Sequence, residues 1–237
     1  MSNSHFSFKQ FTVYHDKCAM KVGIDGVLIG AWTPIESALK ILDVGTGTGL
    51  IALMLAQRSE AEVTGIDLDK QAVLQAKENT IKSPWSNRVR MVQNSLQEFA
   101  SDTTERFDLI VSNPPYFVNS TKTPLENRTA ARHTDLLTHE ELIVNALKLL
   151  SPVGRICLIL PVIEGQKCIE FAETKNLFCS QQVNVYPKPS VETKRLLLEF
   201  SLIKTKCKVT ELTIESEIRH QYSNEFSLLA KDFYLKL

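Results

Sequence analysis

The chain has 237 residues, of which 43% are hydrophobic and 23% are charged, a composition typical of globular domains. Its 27 basic residues balance 27 acidic residues, which argues against a globally cationic nucleic-acid binder but allows a local basic face. No apolar run reaches the roughly 18–20 residues of a membrane span, and the N-terminus carries no signal-like stretch. The five cysteines are scattered without metal-ligand spacing, so we expect a reduced, cytoplasmic protein with no metal site.

Short apolar runs alternate with helix-like stretches along most of the chain. The predicted strands are 38–44, 62–69, 88–95, 107–116, 155–161, 181–187 and 194–202. The predicted helices are 25–32, 50–58, 70–81, 138–150 and 165–176, followed by a weaker strand near 210–214 and a helix from Asn224. This alternation predicts an open, mostly parallel α/β sheet of seven strands with helices on both faces. Only residues 188–193 join the last two strands, too few for a parallel crossover, so we expect an antiparallel hairpin at one edge.

A glycine-rich loop follows the first predicted strand and opens a helix. Its glycines, which allow a tight turn and close approach of a ligand, are Gly45, Gly47 and Gly49. Leu50 stands where a dinucleotide-binding fingerprint has its last glycine, which disfavours an NAD-dependent oxidoreductase. Asp43 precedes the loop, and its carboxylate disfavours a pyrophosphate and favours a cationic ligand. S-adenosyl-L-methionine, with its amino group and sulfonium, is such a ligand.

Polar residues also follow the next two predicted strands. Asp67 ends the second strand, where its carboxylate can accept hydrogen bonds from both ribose hydroxyls of an adenosyl group or cap the next helix. Leu68 is predicted to pack on the adenine face. Asn94 and Ser95 follow the third strand, and either bond the adenine edge or serve as turn residues.

The tetrapeptide Asn113-Pro114-Pro115-Tyr116 follows the fourth predicted strand. Two prolines make it stiff, so the Asn113 side chain and the Pro114 carbonyl point in set directions. Two fixed acceptors can hold both hydrogens of an –NH2 group and aim its lone pair at an electrophile. Tyr116 offers a ring on which a planar group can stack. If the first and fourth strands are central neighbours, this turn faces the glycine loop at a topological switch point.

Three motifs together resemble the class I S-adenosyl-L-methionine-dependent amino-group methyltransferases: DVGTGTG (43–49), IDLD (66–69) and SNPPY (112–116). Further segments are more specifically similar to the bacterial tRNA(Val) adenine-37 N6-methyltransferase family, namely 6–13, 18–32, 128–133 and 231–235. The resemblance implies a Rossmann-like fold, S-adenosyl-L-methionine as cofactor, and methyl transfer to N6 of the adenine beside the anticodon of a valine tRNA. It also implies cofactor binding by the glycine loop with Asp43 and Asp67, and catalysis by residues 113–116. Related enzymes often have an acidic residue where Asn94 stands, which weakens its predicted contact.

The resemblance covers nearly the whole chain, so we predict one methyltransferase domain over residues 1–237. Residues 1–37 are predicted to cover the cofactor cleft, 38–203 to form the catalytic core, and 204–237 to form an appendage. We expect a monomer that binds the anticodon loop of tRNA and no membrane. The anticodon loop is single-stranded, so flipping the target base out costs little.

Basic residues in two regions are predicted to contact the tRNA. Arg128, Arg132 and His133 follow the catalytic turn on a loop long enough to act as a lid. Lys194 and Arg195 belong to a second basic stretch, residues 182–210. An ordinary solvated edge stays an alternative for the basic residues of 182–210, and a structural salt bridge stays an alternative for Arg132 and His133.

Two other functions fit part of the pattern. Release-factor glutamine N5-methyltransferases share the NPPY turn, but usually carry a longer helical N-terminal domain than the roughly 38 residues that precede the first sheet strand here. A methyltransferase-like module that binds nucleic acid without turnover is the second alternative. The intact Asp43, Asp67 and NPPY turn argue against such loss of catalysis.

Overall fold

The computed structural model describes residues 4–18, 21–115, 137–218 and 221–236. Its strands are β1 (His5–Ser7), β2 (Thr12–Tyr14), β3 (Lys40–Val44), β4 (Glu62–Asp67), β5 (Val89–Gln93), β6 (Phe107–Ser112), β7 (Leu150–Pro161), β8 (Phe178–Tyr186), β9 (Arg195–Ser201) and β10 (Lys208–Thr213). Its helices are α1 (Ile24–Trp32), α2 (Leu50–Arg58), α3 (Lys70–Ile81), α4 (Leu96–Asp102), α5 (His139–Leu149), α6 (Val162–Thr174) and α7 (Asn224–Ala230). The described helices include none that is long and apolar enough to cross a bilayer.

The main sheet has the order β10-β8-β9-β7-β6-β3-β4-β5. β3 pairs in parallel with both β4 and β6, with Val44 opposite Ser112 at the end of the β3–β6 ladder. The chain therefore runs outward from β3 to β5 and then crosses to β6 on the other side. This reversal makes the carboxyl ends of β3 and β6 the topological switch point of the sheet, as predicted.

The predicted mostly parallel sheet and antiparallel hairpin are confirmed, but the strand count of seven is wrong. β9 pairs antiparallel with β7 and β8, whereas β10 pairs in parallel with β8 and forms the eighth, outermost strand. Only Leu212 of β10 is buried, so this edge strand has little of the apolar pattern that marks a strand in sequence. A two-stranded hairpin of β1 and β2, absent from the sequence prediction, precedes the sheet.

Two hydrophobic cores cover the two faces of the sheet. One combines the apolar sides of α1, α2 and α3 with β1–β2 residues such as Val13, and it includes Phe226 from α7. The other lies under α4, α5 and α6. Both faces of β3 are therefore covered by apolar side chains. This explains why Ile41 and Leu42, which point to opposite faces, are both fully buried.

Local capping fixes where several helices begin. Thr138 and Glu141 form a reciprocal capping box at α5, as the sequence predicted from a threonine followed by acidic residues. Asp69 accepts a hydrogen bond from Gln71 N at the start of α3. Each cap lies at the carboxyl edge of the parallel strands, because these helices run antiparallel to the strands they connect.

Candidate active site at the carboxyl edge of the sheet

The glycine loop and the Asn-Pro-Pro turn leave adjacent strands at the same edge. Gly45 directly follows β3 and Asn113 directly follows β6. Ser112 Oγ donates a hydrogen bond to Val44 O at 2.7 Å and joins the two strand ends just before the loops diverge. Neighbouring strands lie about 4.8 Å apart, so groups on the two loops can act on one ligand.

Asp43 is a fully buried carboxylate near the end of β3. Its Oδ2 accepts hydrogen bonds from Thr46 Oγ1 at 2.6 Å and from Ala52 N at 3.2 Å. Its Oδ1 is buried and has no hydrogen-bond partner in the part of the chain that the structure describes. Burial raises the pKa of Asp43 to about 7 against the opposing effect of these hydrogen bonds. A buried carboxylate with one spare oxygen is suited to receive a cationic group such as an ammonium.

Asp67 ends β4 and bridges the glycine loop to the start of α3. Its Oδ2 accepts from Gly47 N at 2.8 Å and its Oδ1 accepts from Asp69 N at 2.9 Å. Burial raises the pKa of Asp67, with these hydrogen bonds acting in the opposite direction. Asp67 itself is a bridge rather than the cap of α3, because Asp69 occupies the cap position.

Gly47 and Gly49 have left-handed φ values of 54° and 83°, but their surroundings differ. A Cβ on Gly47 would meet no heavy atom within 4 Å among the residues described. A Cβ on Gly49 would lie 3.1 Å from Met91 Cε and 3.3 Å from Ala76 Cβ. Gly47 therefore borders the open side of the loop, where a ligand has room, whereas Gly49 packs against α3.

We expect Gly49→Ala to lower stability more than Gly47→Ala, since both pay the left-handed backbone cost of about 1–2 kcal/mol and only Gly49 adds a clash. We expect Gly47→Ala to weaken binding of S-adenosylhomocysteine by about tenfold, because its methyl group projects into the open side of the loop. Urea unfolding and calorimetric titration measure the two effects. Equal loss of stability in both variants would contradict the packing assigned to Gly49.

The Asn-Pro-Pro turn is described as far as Pro115. Asn113 is half-buried, Pro114 is buried and Pro115 is exposed. Asn113 directly follows β6 and so lies at the switch point of the sheet. Tyr116 lies outside the described residues.

The remaining residues predicted to bind the cofactor surround Asp67. Leu68 is 49% exposed, which leaves its side chain available for an apolar ring. Asn94 N donates to Asp67 O at 3.1 Å, so Asn94 lies beside the end of β4. Ser95 is the N-cap of α4 and accepts a hydrogen bond from Glu98 N. Ser95 therefore caps a helix, which agrees with its interpretation as a turn residue. The sequence prediction missed α4 itself.

Two buried amides on α3 were missed from sequence, and one of them bonds the glycine loop. Gln75 and Asn79 are each 1% exposed and lie four residues apart on the inner side of the helix. Asn79 Nδ2 donates to Thr48 O in the glycine loop at 2.9 Å. Polar residues at helical spacing on a predicted apolar face were the signal that could have found them.

The predicted basic surface over residues 182–210 is divided between opposite edges of the sheet. Lys194 and Arg195 lie at the carboxyl edge, where Lys194 is exposed and Arg195 Nε pairs with Asp25 Oδ2 at 2.9 Å. The residues at the other edge are Lys204, Lys206 and Lys208. The seven-residue strand β9 lies between these two groups of basic residues and separates them by about 20 Å. Arg128, Arg132 and His133 lie outside the described residues.

Comparison with known proteins shows similarity over the full chain. A family profile described as a methyltransferase domain matches residues 35–220. A tRNA1(Val) (adenine(37)-N6)-methyltransferase from Parabacteroides distasonis is 53% identical over 238 residues, covering 100% of both chains. Proteins of the same name from Trichodesmium erythraeum and Pectobacterium carotovorum are 47% and 44% identical, covering 100% and 97% of this chain and 100% and 93% of theirs.

Solved structures share the fold at low sequence identity. A predicted O-methyltransferase from Agrobacterium tumefaciens superposes with a TM-score of 0.69 at 18% identity, covering 88% of this chain and 96% of its own. A ribosomal protein L11 methylase from Lactobacillus delbrueckii gives a TM-score of 0.57 at 16% identity, covering 80% and 83%. The sheet order and the loops at its carboxyl edge thus belong to a fold that methyltransferases use.

Proposed function

The chain belongs to the family of tRNA1(Val) (adenine(37)-N6)-methyltransferases, and from this membership we propose that it methylates N6 of adenine 37 in tRNA1(Val). Its fold is that of class I S-adenosyl-L-methionine-dependent methyltransferases. The observation that carries the proposal is identity of 53% over the entire length, with the Asn-Pro-Pro turn beside the glycine loop. The target adenine lies next to the anticodon, and we propose that the enzyme binds the anticodon loop as a monomer.

The residues of the site fit S-adenosyl-L-methionine. The spare, buried Oδ1 of Asp43 suits the amino group of its methionine part. Asp67 borders the same loop and suits the ribose hydroxyls, because each of its carboxylate oxygens accepts one backbone hydrogen bond and can accept another. The open side of Gly47 allows the ligand to approach the backbone. When bound, the cofactor supplies an electrophilic methyl group on a sulfonium.

The protein's part in the reaction is to orient the adenine amino group. We propose that Asn113 Oδ1 and the Pro114 carbonyl each accept one N–H of that group. Holding both hydrogens out of the ring plane withdraws the lone pair from conjugation and directs it across the switch point. Positive charge develops on N6 during transfer, and the two fixed acceptor dipoles stabilise it. Tyr116 is proposed to stack on the adenine ring.

The direct test is methylation of tRNA by the purified protein. We expect labelled cofactor to transfer its methyl group to bulk tRNA, and mass spectrometry of the digested tRNA to find N6-methyladenosine at position 37. The most sensitive substrate is tRNA from a strain that lacks the gene, because adenine 37 of that tRNA is unmodified. Label in release factor rather than in tRNA would instead identify a glutamine methyltransferase.

The division of the basic residues predicts which lysines contact tRNA. Charge reversal of Lys194, at the carboxyl edge, is expected to raise the KM for tRNA about tenfold and to lower its salt dependence, since a phosphate contact is replaced by repulsion. Lys206→Glu makes the same charge change at the opposite edge and is the matched control. Equal effects of the two substitutions on KM would contradict a contact at Lys194 and indicate only long-range attraction.

A further inference from the structure

The N-terminal segment 14–18 is attached along the buried side of α3. Tyr14 N donates to Asn79 Oδ1 at 3.0 Å, and Asn79 Nδ2 donates back to Tyr14 O at 2.9 Å. One turn earlier in the helix, Gln75 Oε1 accepts a hydrogen bond from Lys17 N at 3.0 Å. Buried amides are tolerated where their polar groups are bonded, so these contacts fix the path of the segment.

This path leads to the cofactor site. The contacts of segment 14–18 move toward the start of α3 as the segment proceeds, so it runs antiparallel to the helix. α3 begins at the carboxyl edge, directly after Asp69. At that end, burial and then the negative charges of Asp67 and Asp69 raise the pKa of the Cys18 thiol to about 11. The segment therefore runs toward the end of α3 at which Asp67 and Asp69 lie, which is the side proposed for the ribose.

Asn79 also joins this segment to the glycine loop. Its Nδ2 donates to Thr48 O at 2.9 Å as well as to Tyr14 O. One buried side chain thus bonds a loop that faces the cofactor and a strand that leads to the cofactor's ribose side. A loop held this way loses less conformational freedom when a ligand binds.

We propose that residues 14–18 form a wall of the cofactor site and that Asn79 is the positioning residue that ties this wall to the glycine loop. The inference rests on the proposed function, because it assumes that the loop binds S-adenosyl-L-methionine. It assigns Cys18 a place beside the bound ribose and assigns Asn79 a role in cofactor affinity rather than in methyl transfer.

Alkylation of the wild-type protein tests the wall. With S-adenosylhomocysteine at ten times its Kd, we expect iodoacetamide labelling of Cys18 to slow about tenfold. Cys207 is the internal control, since it is partly exposed like Cys18 but precedes β10 at the opposite edge. Its labelling should not change. If calorimetry shows that S-adenosylhomocysteine binds but Cys18 is labelled as fast as before, the inference is wrong and the proposed function stands. If S-adenosylhomocysteine does not bind, the proposed function is wrong and the inference falls with it.

Substitution of Asn79 tests the positioning role. Asn79→Ala is expected to raise the KM for S-adenosyl-L-methionine about tenfold while kcat at saturating cofactor stays within about twofold. Asn145→Ala is the matched control, because Asn145 is a buried helical asparagine that donates to Glu141 O on the other face of the sheet. It should lower stability without changing this KM. An unchanged KM in Asn79→Ala, or a fall in kcat alone, overturns the role, and the alkylation result decides if the variant does not fold.

Discussion

Asn113→Ala is expected to lower kcat for tRNA methylation by about 10²–10³-fold while leaving the affinity for S-adenosylhomocysteine unchanged. The substitution removes one of the two acceptors proposed to orient the adenine amino group. It leaves Asp43, Asp67 and the glycine loop untouched, so cofactor binding has no reason to change. Single-turnover methylation at saturating tRNA, with calorimetry of the cofactor product, measures both quantities.

Ser112→Ala is the control for disturbance of the strand end. Ser112 precedes Asn113 and bonds Val44 O across the β3–β6 ladder, but it is not one of the proposed acceptors. We expect this variant to lose stability and to keep most of its rate. If Asn113→Ala retains more than about a third of the wild-type rate, the orientation mechanism is wrong, because loss of one oriented polar group costs much more.

Asp43→Asn is expected to lower cofactor affinity by about 10²-fold at pH 8 and to raise the stability of the free protein. The affinity falls because a neutral amide replaces the carboxylate proposed to pair with the cofactor ammonium. The stability rises because the variant no longer buries a negative charge. The amide oxygen can still accept from Thr46 and Ala52, so the loop is expected to keep its geometry.

The pH dependence follows from the pKa of about 7 that burial produces for Asp43. Below about pH 4 the carboxyl is protonated in both the folded and the unfolded state, and its contribution to stability is fully present. Between about pH 4 and 7 only the unfolded state releases the proton, so this contribution is lost as pH rises. Wild-type stability relative to Asp43→Asn should fall over that window and level off above it. Parallel stability curves for the two proteins would exclude a raised pKa.

Cofactor affinity should show the opposite trend. An ionised Asp43 is required to pair with the ammonium, so wild-type affinity is expected to increase as pH rises through about 7. The same rise should be absent from Asp43→Asn. Calorimetric titrations with S-adenosylhomocysteine at pH 6, 7 and 8 check this, and a rise of equal size in the variant would assign the titration to another group.

Local sequence patterns predicted the parts of the site that lie on regular elements. The bounds of α2 and α3 agree with the predicted 50–58 and 70–81, because α2 starts directly after the left-handed Gly49 and Asp69 caps α3. The adjacency of β3 and β6, which the sequence predicts for a sheet that reverses direction after its third strand, is confirmed as well. The sequence therefore predicts that the glycine loop and the Asn-Pro-Pro turn lie at the same edge of the sheet.

Other features escaped the sequence because their cause is not local. The sequence indicates only a weaker strand near 210–214 and does not place it in the sheet, because β10 has a single buried residue and joins the edge through parallel pairing with β8. Gln75 and Asn79 look like ordinary polar helix residues until the N-terminal segment, some 60 residues away, supplies their partners. The basic stretch that reads as one surface in sequence is split because the strand between its two halves spans the sheet.

The sequence by itself determined the chemistry that the site offers: the carboxylates, the glycine turn and the two stiff acceptors are properties of residue type and of immediate neighbours. Only the tertiary structure decided which of those groups are buried, and burial in turn causes the raised pKa and the unpaired oxygen of Asp43. The tertiary structure also decided the path of residues 14–18 along α3 and the edge of the sheet on which each lysine lies. The physical reason is that burial and long-range hydrogen bonds depend on how distant segments pack, whereas turn and capping preferences act over a few bonds.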